Sequence, residues 1–406
     1  MVDRHILVLG AGPIGLEAAL YAAALGSRVE VLEAGGIGEH CRRWGHAALF
    51  TPWSLNVSPL AGRRLRDTGA GGWAEARNPT GRELVQDFLV PLAGLPELQG
   101  HVHPRHRVIG IGRGRLLKRE GIGDGSRDPV RFRVLVETPA GEQILEADTV
   151  IDATGVFGQP NPLGVGGVPA PGERSLAGAV IAGLPDVLGR DRARVAGRRV
   201  LVVGGGLSAA TTVCALTNAG CSGIVWMTRT PVPPVPVVPH DPLPARAALA
   251  GAANGWAADT TGVVHHLTGD GVLAMARESG GFRITVAGSD GPSDIRCDVV
   301  VNQTGFRPDL SIHRELQVHQ CYATEGTMNL AGALLGAAGG DCMEQSGHGP
   351  ESLLNPEPGF FVLGSKSYGR NPEFLLRVGH EQIRDAFRLI AGDPALDLYT
   401  EAPSHA

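Results

Sequence analysis

The chain has 406 residues, enough for two or three compact units, and 43% of them are hydrophobic, enough for a sizeable core. Only 19% are charged and the formal net charge is −5, which excludes a nucleic-acid binder working through a basic face. The six cysteines (Cys41, Cys214, Cys221, Cys297, Cys321, Cys342) contain no CxxC pair, and no apolar stretch nears the roughly 20 residues of a membrane span. The first apolar run is already a strand rather than a leader, so a cytoplasmic protein is expected.

Ile6-Leu7-Val8-Leu9 is a continuous apolar run, as a parallel strand buried on both faces requires. It enters Gly10-Ala11-Gly12-Pro13-Ile14-Gly15. Gly10 permits the sharp turn, Gly12 lets a pyrophosphate approach the backbone, and Gly15 lets the next helix pack close to the strand. That helix is predicted from about Pro13 to Leu25 and ends at Gly26; its N-terminus, with free N–H groups and a partial positive charge, suits a phosphate. Val29 to Leu32 forms the second strand, and Glu33 at its end is placed to accept hydrogen bonds from ribose hydroxyls.

Beyond Glu33 lies an aromatic loop with Trp44, His46, Phe50, Trp53 and Asn56. Cys41 stands between His40 and Arg42-Arg43, arginines able to lower its pKa, although a packed thiol is the expectation. The basic stretch Gly112 to Asp128 is interrupted by glycines and acids and is expected to be a solvated loop. Asp152-Ala153-Thr154-Gly155 closes a hairpin-like stretch whose small residues let the chain run past a ligand.

The whole arrangement then recurs. Arg199 to Val203 is a buried strand, followed by Gly204-Gly205-Gly206-Leu207-Ser208-Ala209. Gly204 and Gly206 take the first two glycine roles, Ala209 replaces the third, and Ser208 is placed to donate to a phosphate. After the next strand, Gly223 to Met227, no acid appears; Arg229 stands there instead, favouring a 2′-phosphate and hence NADPH over NADH. The downstream hairpins align without a gap: Phe132 with Phe282, Gly141 with Gly291, Asp148 with Asp298, Thr154-Gly155 with Thr304-Gly305. Two fingerprints with the same downstream partner imply two dinucleotides held at once. The proline-rich stretch Pro231 to Pro244 reads as a semi-rigid lid or a spacer.

On these residues the chain resembles the flavoproteins with two dinucleotide-binding domains, the superfamily of thioredoxin-reductase-like enzymes and flavin-containing monooxygenases. The resemblance implies an α/β protein of two Rossmann-like domains, the second inserted into the first: an FAD domain split into 1–160 and 300–406, and a connector with an NADPH domain at 161–299. It implies adenine contact through the backbone of Val108 and a flavin-facing loop at Gly364-Ser365, where the family often carries Gly-Asp. Asn371-Pro372-Glu373 reads as a cap and first turn, so a helix directed at the flavin is expected from Pro372.

FAD beside NADPH implies hydride transfer to the flavin. Three uses of those electrons stay open. One is oxygenation of a small molecule, with His46 as hydrogen-bond donor. Another is reduction of a disulfide, quinone or protein acceptor, with Cys321 and Cys342 as a redox pair. The last is a redox sensor without turnover. A metal site built on Cys321 and Cys342 with His319 and His348 matches no common zinc spacing, and none is expected. A homodimer is compatible with the family.

Overall fold

The structure, a computed structural model, describes residues 4–288, 291–336, 343 and 347–400. It divides into two compact units: Met1–Gly158 with Arg307–Ala406, and Gln159–Phe306.

In the first unit, described strands pair in the order Phe360–Val362, Thr149–Asp152, His5–Leu9, Arg28–Glu33, Val102–Pro104, all parallel. The central strand shows why its sequence is apolar without alternation. Ile6 and Val8 join the core under the helix Pro13–Ala24, whereas Leu7 and Leu9 face a second core containing Phe132, Val134 and Val136. Those three come from the antiparallel sheet Arg107–Arg113, Phe132–Thr138, Gly141–Ala147, and the residues between them on that strand are less buried, as a one-sided strand dictates. Among the described residues no helix is long and apolar enough to cross a membrane.

The second unit repeats the plan. Its strand order is Gly291–Cys297, Gly281–Gly288, Val264–Glu278, Gly223–Thr228, Arg199–Val203, Val299–Asn302, Ile181–Ala182. The segment expected as a mere connector therefore contributes a strand, because Ile181–Ala182 pairs with Val299–Asn302. Residues 300–306 go with this unit, since Val299–Asn302 pairs with Arg199–Val203. The ungapped repeat holds at the level of atoms. The Asp148 carboxylate accepts from the His5 amide at 2.8 Å, and the Asp298 carboxylate accepts from the Arg199 amide at 2.7 Å.

Two local expectations need correction, and a third segment shows an unforeseen anchor. The C-terminal helix spans Leu376–Ala391, not from Pro372; Asn371 instead closes a turn onto the Glu373 amide (2.9 Å). The stretch Gly112 to Asp128 is not wholly solvated. Arg113 and Arg127 are each 2% exposed and converge on the buried Glu357. Arg127 donates to both carboxylate oxygens of Glu357 (3.1 and 2.7 Å), while Arg113 lies 3.7 Å from one of them and 4.1 Å over the Phe132 ring. The proline-rich stretch has an anchor near its middle: the backbone N–H and carbonyl of Val235 both pair with the Asn254 side chain (3.0 and 2.9 Å), and Val235 is fully buried.

Removing Glu357 leaves two guanidinium groups buried without their anion. Glu357→Ala is expected to cost about 3–5 kcal/mol of stability, read as a lowered midpoint in chemical denaturation.

Candidate functional site

The first glycine turn follows from backbone crowding. Gly10 has φ +97° and lies so near the Ala153 carbonyl that a Cβ would come within 2.8 Å of it. At Gly15 a Cβ would sit 1.9 Å from the Gly10 carbonyl oxygen, so the third glycine is obligatory here. Gly12 caps the helix that opens at Pro13, and a Cβ there would meet nothing within 4 Å: the space beside the turn is open. Glu33 stitches the turn together, accepting from the Ala11 amide (2.8 Å) with one oxygen and from the Gly35 amide (2.7 Å) with the other. Each oxygen keeps a second lone pair for a ribose hydroxyl. Val108 lies two residues beyond His106, whose amide donates to the Glu33 carbonyl (2.8 Å). An open glycine turn at a helix N-terminus with an acid at the strand end fits a dinucleotide.

The opposite side of this site holds a group the sequence alone did not disclose. Asp152, at the end of Thr149–Asp152, is fully buried and accepts from Lys366 Nζ at 2.7 Å, with Lys366 itself 1% exposed. Lys366 also donates to the Thr154 hydroxyl (3.0 Å), and His313 Nδ1 stands 3.6 Å from Asp152. Burial alone would raise the Asp152 carboxyl; the Lys366 ammonium and His313 outweigh it and hold the carboxyl below its usual range. This pair carries the loop Gly364–Lys366 to the glycine turn. A Cβ on Gly155 would meet the Ser365 hydroxyl at 3.4 Å, and one on Gly364 would meet Ile14 at 3.3 Å. Gln382 completes the anchor, accepting from the Gly364 amide and donating to the Ser367 hydroxyl, both at 2.9 Å. The signal for this network was faint but present: Lys366 is one of only two lysines among 36 basic residues, set in a glycine–serine segment after a buried strand.

In the second unit Gly204, with φ +135°, presses on the Gln303 carbonyl as Gly10 presses on Ala153. Gly206 caps the helix Leu207–Leu216, and Ser208 is exposed in its first turn. Arg229 is exposed just past Gly223–Thr228, the strand that pairs with Arg199–Val203. Asn302 matches Asp152: its side chain accepts from the Thr304 amide and hydroxyl (3.0 and 2.7 Å), as Asp152 does from Thr154 (3.2 and 2.7 Å). The second unit makes this turn without a charge.

The remaining predicted residues lie outside the glycine turns in sequence. His46 is half-buried in the turn after the short helix Glu39–Arg43. Trp53 is buried and stacked on Trp73 (centroids 5.2 Å apart), and Asn56 bonds Thr51 and Pro52, so both are structural. Cys41 is a packed thiol, as expected: it is buried, and burial pushes its thiol up to about 12, while Arg42 and Arg43 are exposed. Cys321, 6% exposed, is covered at the surface rather than deep in the core, and the Thr324 amide and hydroxyl lower its thiol. Its turn packs on the segment after Ser365: the Thr324 carbonyl accepts from the Arg370 amide at 2.7 Å. Cys342 lies outside the described residues. Among those described, no three His, Cys, Asp or Glu side chains are grouped to hold a metal ion.

The family profile described as pyridine nucleotide-disulphide oxidoreductase matches residues 109–325, over half of the chain, and a second profile of the same description matches residues 5–36. The chain belongs to the pyridine nucleotide-disulphide oxidoreductase family. Its cofactors are FAD and NAD(P)H. Solved structures agree on the fold and include both branches the sequence resembles. The bacillithiol disulfide reductase Bdr (YpdA) from Bacillus cereus superposes with a TM-score of 0.65 at 18% identity, covering 96% of this chain and 99% of that one. The T. acidophilum thioredoxin reductase gives 0.61 at 16%, with coverage of 96% and 99%. The flavin-containing monooxygenase from Stenotrophomonas maltophilia gives 0.58 at 18%, with coverage of 97% and 99%. No curated protein matches the chain by sequence.

Two outcomes test this oxidoreductase's site. Gly15→Ala forces a methyl into the Gly10 carbonyl, and purified variant is expected to carry less than a tenth of the wild-type flavin, measured as the 450 nm to 280 nm absorbance ratio. Asp152 titrates low in the folded state, so its contribution is present above about pH 4 and lost as pH falls through its folded pKa. Lys366→Met is expected to lose about 3–5 kcal/mol at pH 7, a deficit against wild type that narrows towards pH 4 as the unpaired carboxyl takes up a proton.

Proposed function

We propose that the protein is an FAD-dependent NADPH oxidoreductase that oxygenates a small molecule. FAD is assigned to the turn Gly10–Gly15 with Glu33, Val108, Gly155, Gly364 and Ser365, and NADPH to the turn Gly204–Ala209 with Ser208 and Arg229. When bound side by side, FAD and NADPH would supply hydride-transfer chemistry. The chain's own residues bind and orient. Glu33 takes the adenosine ribose, the helix N-terminus at Pro13 takes the pyrophosphate, Ser365 offers a hydroxyl to the ribityl chain, and His46 supplies a hydrogen-bond donor on the substrate side.

The observation that carries the oxygenase assignment is that the sequence has no two cysteines a few residues apart after the first glycine turn. Cys41, the cysteine nearest to that turn in sequence, stands alone and is buried, whereas relay of electrons to a disulfide needs a paired, accessible thiol. A second function, reduction of a disulfide acceptor, is favoured by Cys321, whose thiol is lowered and whose turn packs against the residues following Ser365.

Oxygen uptake decides between them. Oxygenation predicts NADPH oxidation with equimolar oxygen uptake, stimulated by a substrate from a small-molecule panel and with little peroxide released. Disulfide reduction predicts NADPH oxidation under nitrogen that a disulfide stimulates and that Cys321→Ser removes; that outcome would overturn the oxygenase proposal. Arg229→Glu is expected to raise the KM for NADPH at least tenfold while that for NADH changes less than threefold.

A further inference from the structure

Of the three fingerprint glycines in the first turn, the second turn replaces only the last, and the replacement has a visible consequence. In the first, the Gly10 carbonyl rests on the bare backbone of Gly15, 1.9 Å from where a side chain would begin. In the second, the corresponding helix residue is Ala209, which carries a methyl group and is fully buried. The Gly204 carbonyl therefore has no room to lie against the helix as its counterpart does. It accepts instead from the indole Nε1 of Trp226 at 2.8 Å.

Trp226 stands where the first unit has Val31. Leu9 pairs with Leu32 and Val203 with Met227, so Val31 and Trp226 each precede the residue beside the end of the glycine-turn strand. Val31 has no donor to offer. Trp226 is fully buried, and its ring meets His266 edge-on at a centroid distance of 5.8 Å. His266 is itself fixed by the Thr228 hydroxyl at 2.8 Å.

We infer that Trp226 is a positioning residue for the second glycine turn, its indole N–H substituting for the missing third glycine by holding the Gly204 carbonyl clear of Ala209. The inference rests on the assignment of NADPH to that turn. Without the indole, the carbonyl loses its partner and the turn loses the one placement compatible with the Ala209 methyl. The pyrophosphate-binding amides then become less well ordered, and affinity falls.

The test is calorimetric titration of NADP+ into FAD-loaded protein. Trp226→Phe is expected to weaken binding about tenfold, with the flavin content unchanged. Adding Ala209→Gly is expected to restore affinity to within about threefold of wild type, because the carbonyl can then rest on the helix as Gly10 does. A folded Trp226→Phe protein with the wild-type Kd overturns the inference, as does a double variant no better than the single one. Should Trp226→Phe fold poorly, benzothienylalanine at position 226 keeps the ring shape without the N–H; it must weaken NADP+ about tenfold, and wild-type affinity there also overturns the inference. Wild-type protein that binds FAD but not NADP+ overturns the assignment beneath it.

Discussion

Each unit is organised around a contact between two stretches of backbone. A glycine ending the first strand lies against the carbonyl of the residue before a Thr-Gly pair: Gly10 on Ala153, Gly204 on Gln303. Any side chain at either position would separate the strands there. The close approach brings the end of one strand beside the turn that opens a helix, so helix N-terminus, glycine amides and Thr-Gly loop surround one open space. The Asp148 and Asp298 carboxylates fix the far ends of the same strands.

On that shared frame the units diverge in how they hold the returning loop. The second closes its turn with neutral Asn302, which also donates to the Asn161 carbonyl at 2.9 Å. The first uses Asp152 and balances it with Lys366, both out of solvent. A buried pair adds little net stability compared with apolar packing, but it is intolerant of misplacement, since either charge alone is costly. It therefore defines where Gly364 and Ser365 lie relative to Gly155. Specificity of position, rather than strength, is what the ion pair adds to a site that must accept a cofactor in one pose.

Much of this was legible in the sequence because it depends on local rules. Unbroken apolar runs, glycines at fixed offsets and an acid at a strand end each carry their own physical reason, and the ungapped repeat doubled the signal. What stayed hidden depends on contacts across long separations. Nothing near Arg113 or Arg127 announces Glu357, so a stretch broken by glycines reads as solvated when two of its arginines are buried. Asn371-Pro372-Glu373 has the composition of a helix start, yet the Asn371 side chain forms a turn with Glu373 and the helix waits for Leu376. The Asn254 clasp on Val235 is equally invisible in a run of prolines.

The order of synthesis gives the Asp152–Lys366 pair a temporal meaning. The two residues are 214 positions apart. At about 5–20 residues per second, translation separates them by on the order of 10–40 s. During that interval the nascent amino-terminal portion contains a carboxylate whose counter-ion does not yet exist, so burying Asp152 in its ionised form is costly. The intervening unit, whose matching position is uncharged Asn302, faces no such delay. Only the interrupted module thus has to wait for its closing segment to supply the partner of a charge it buries.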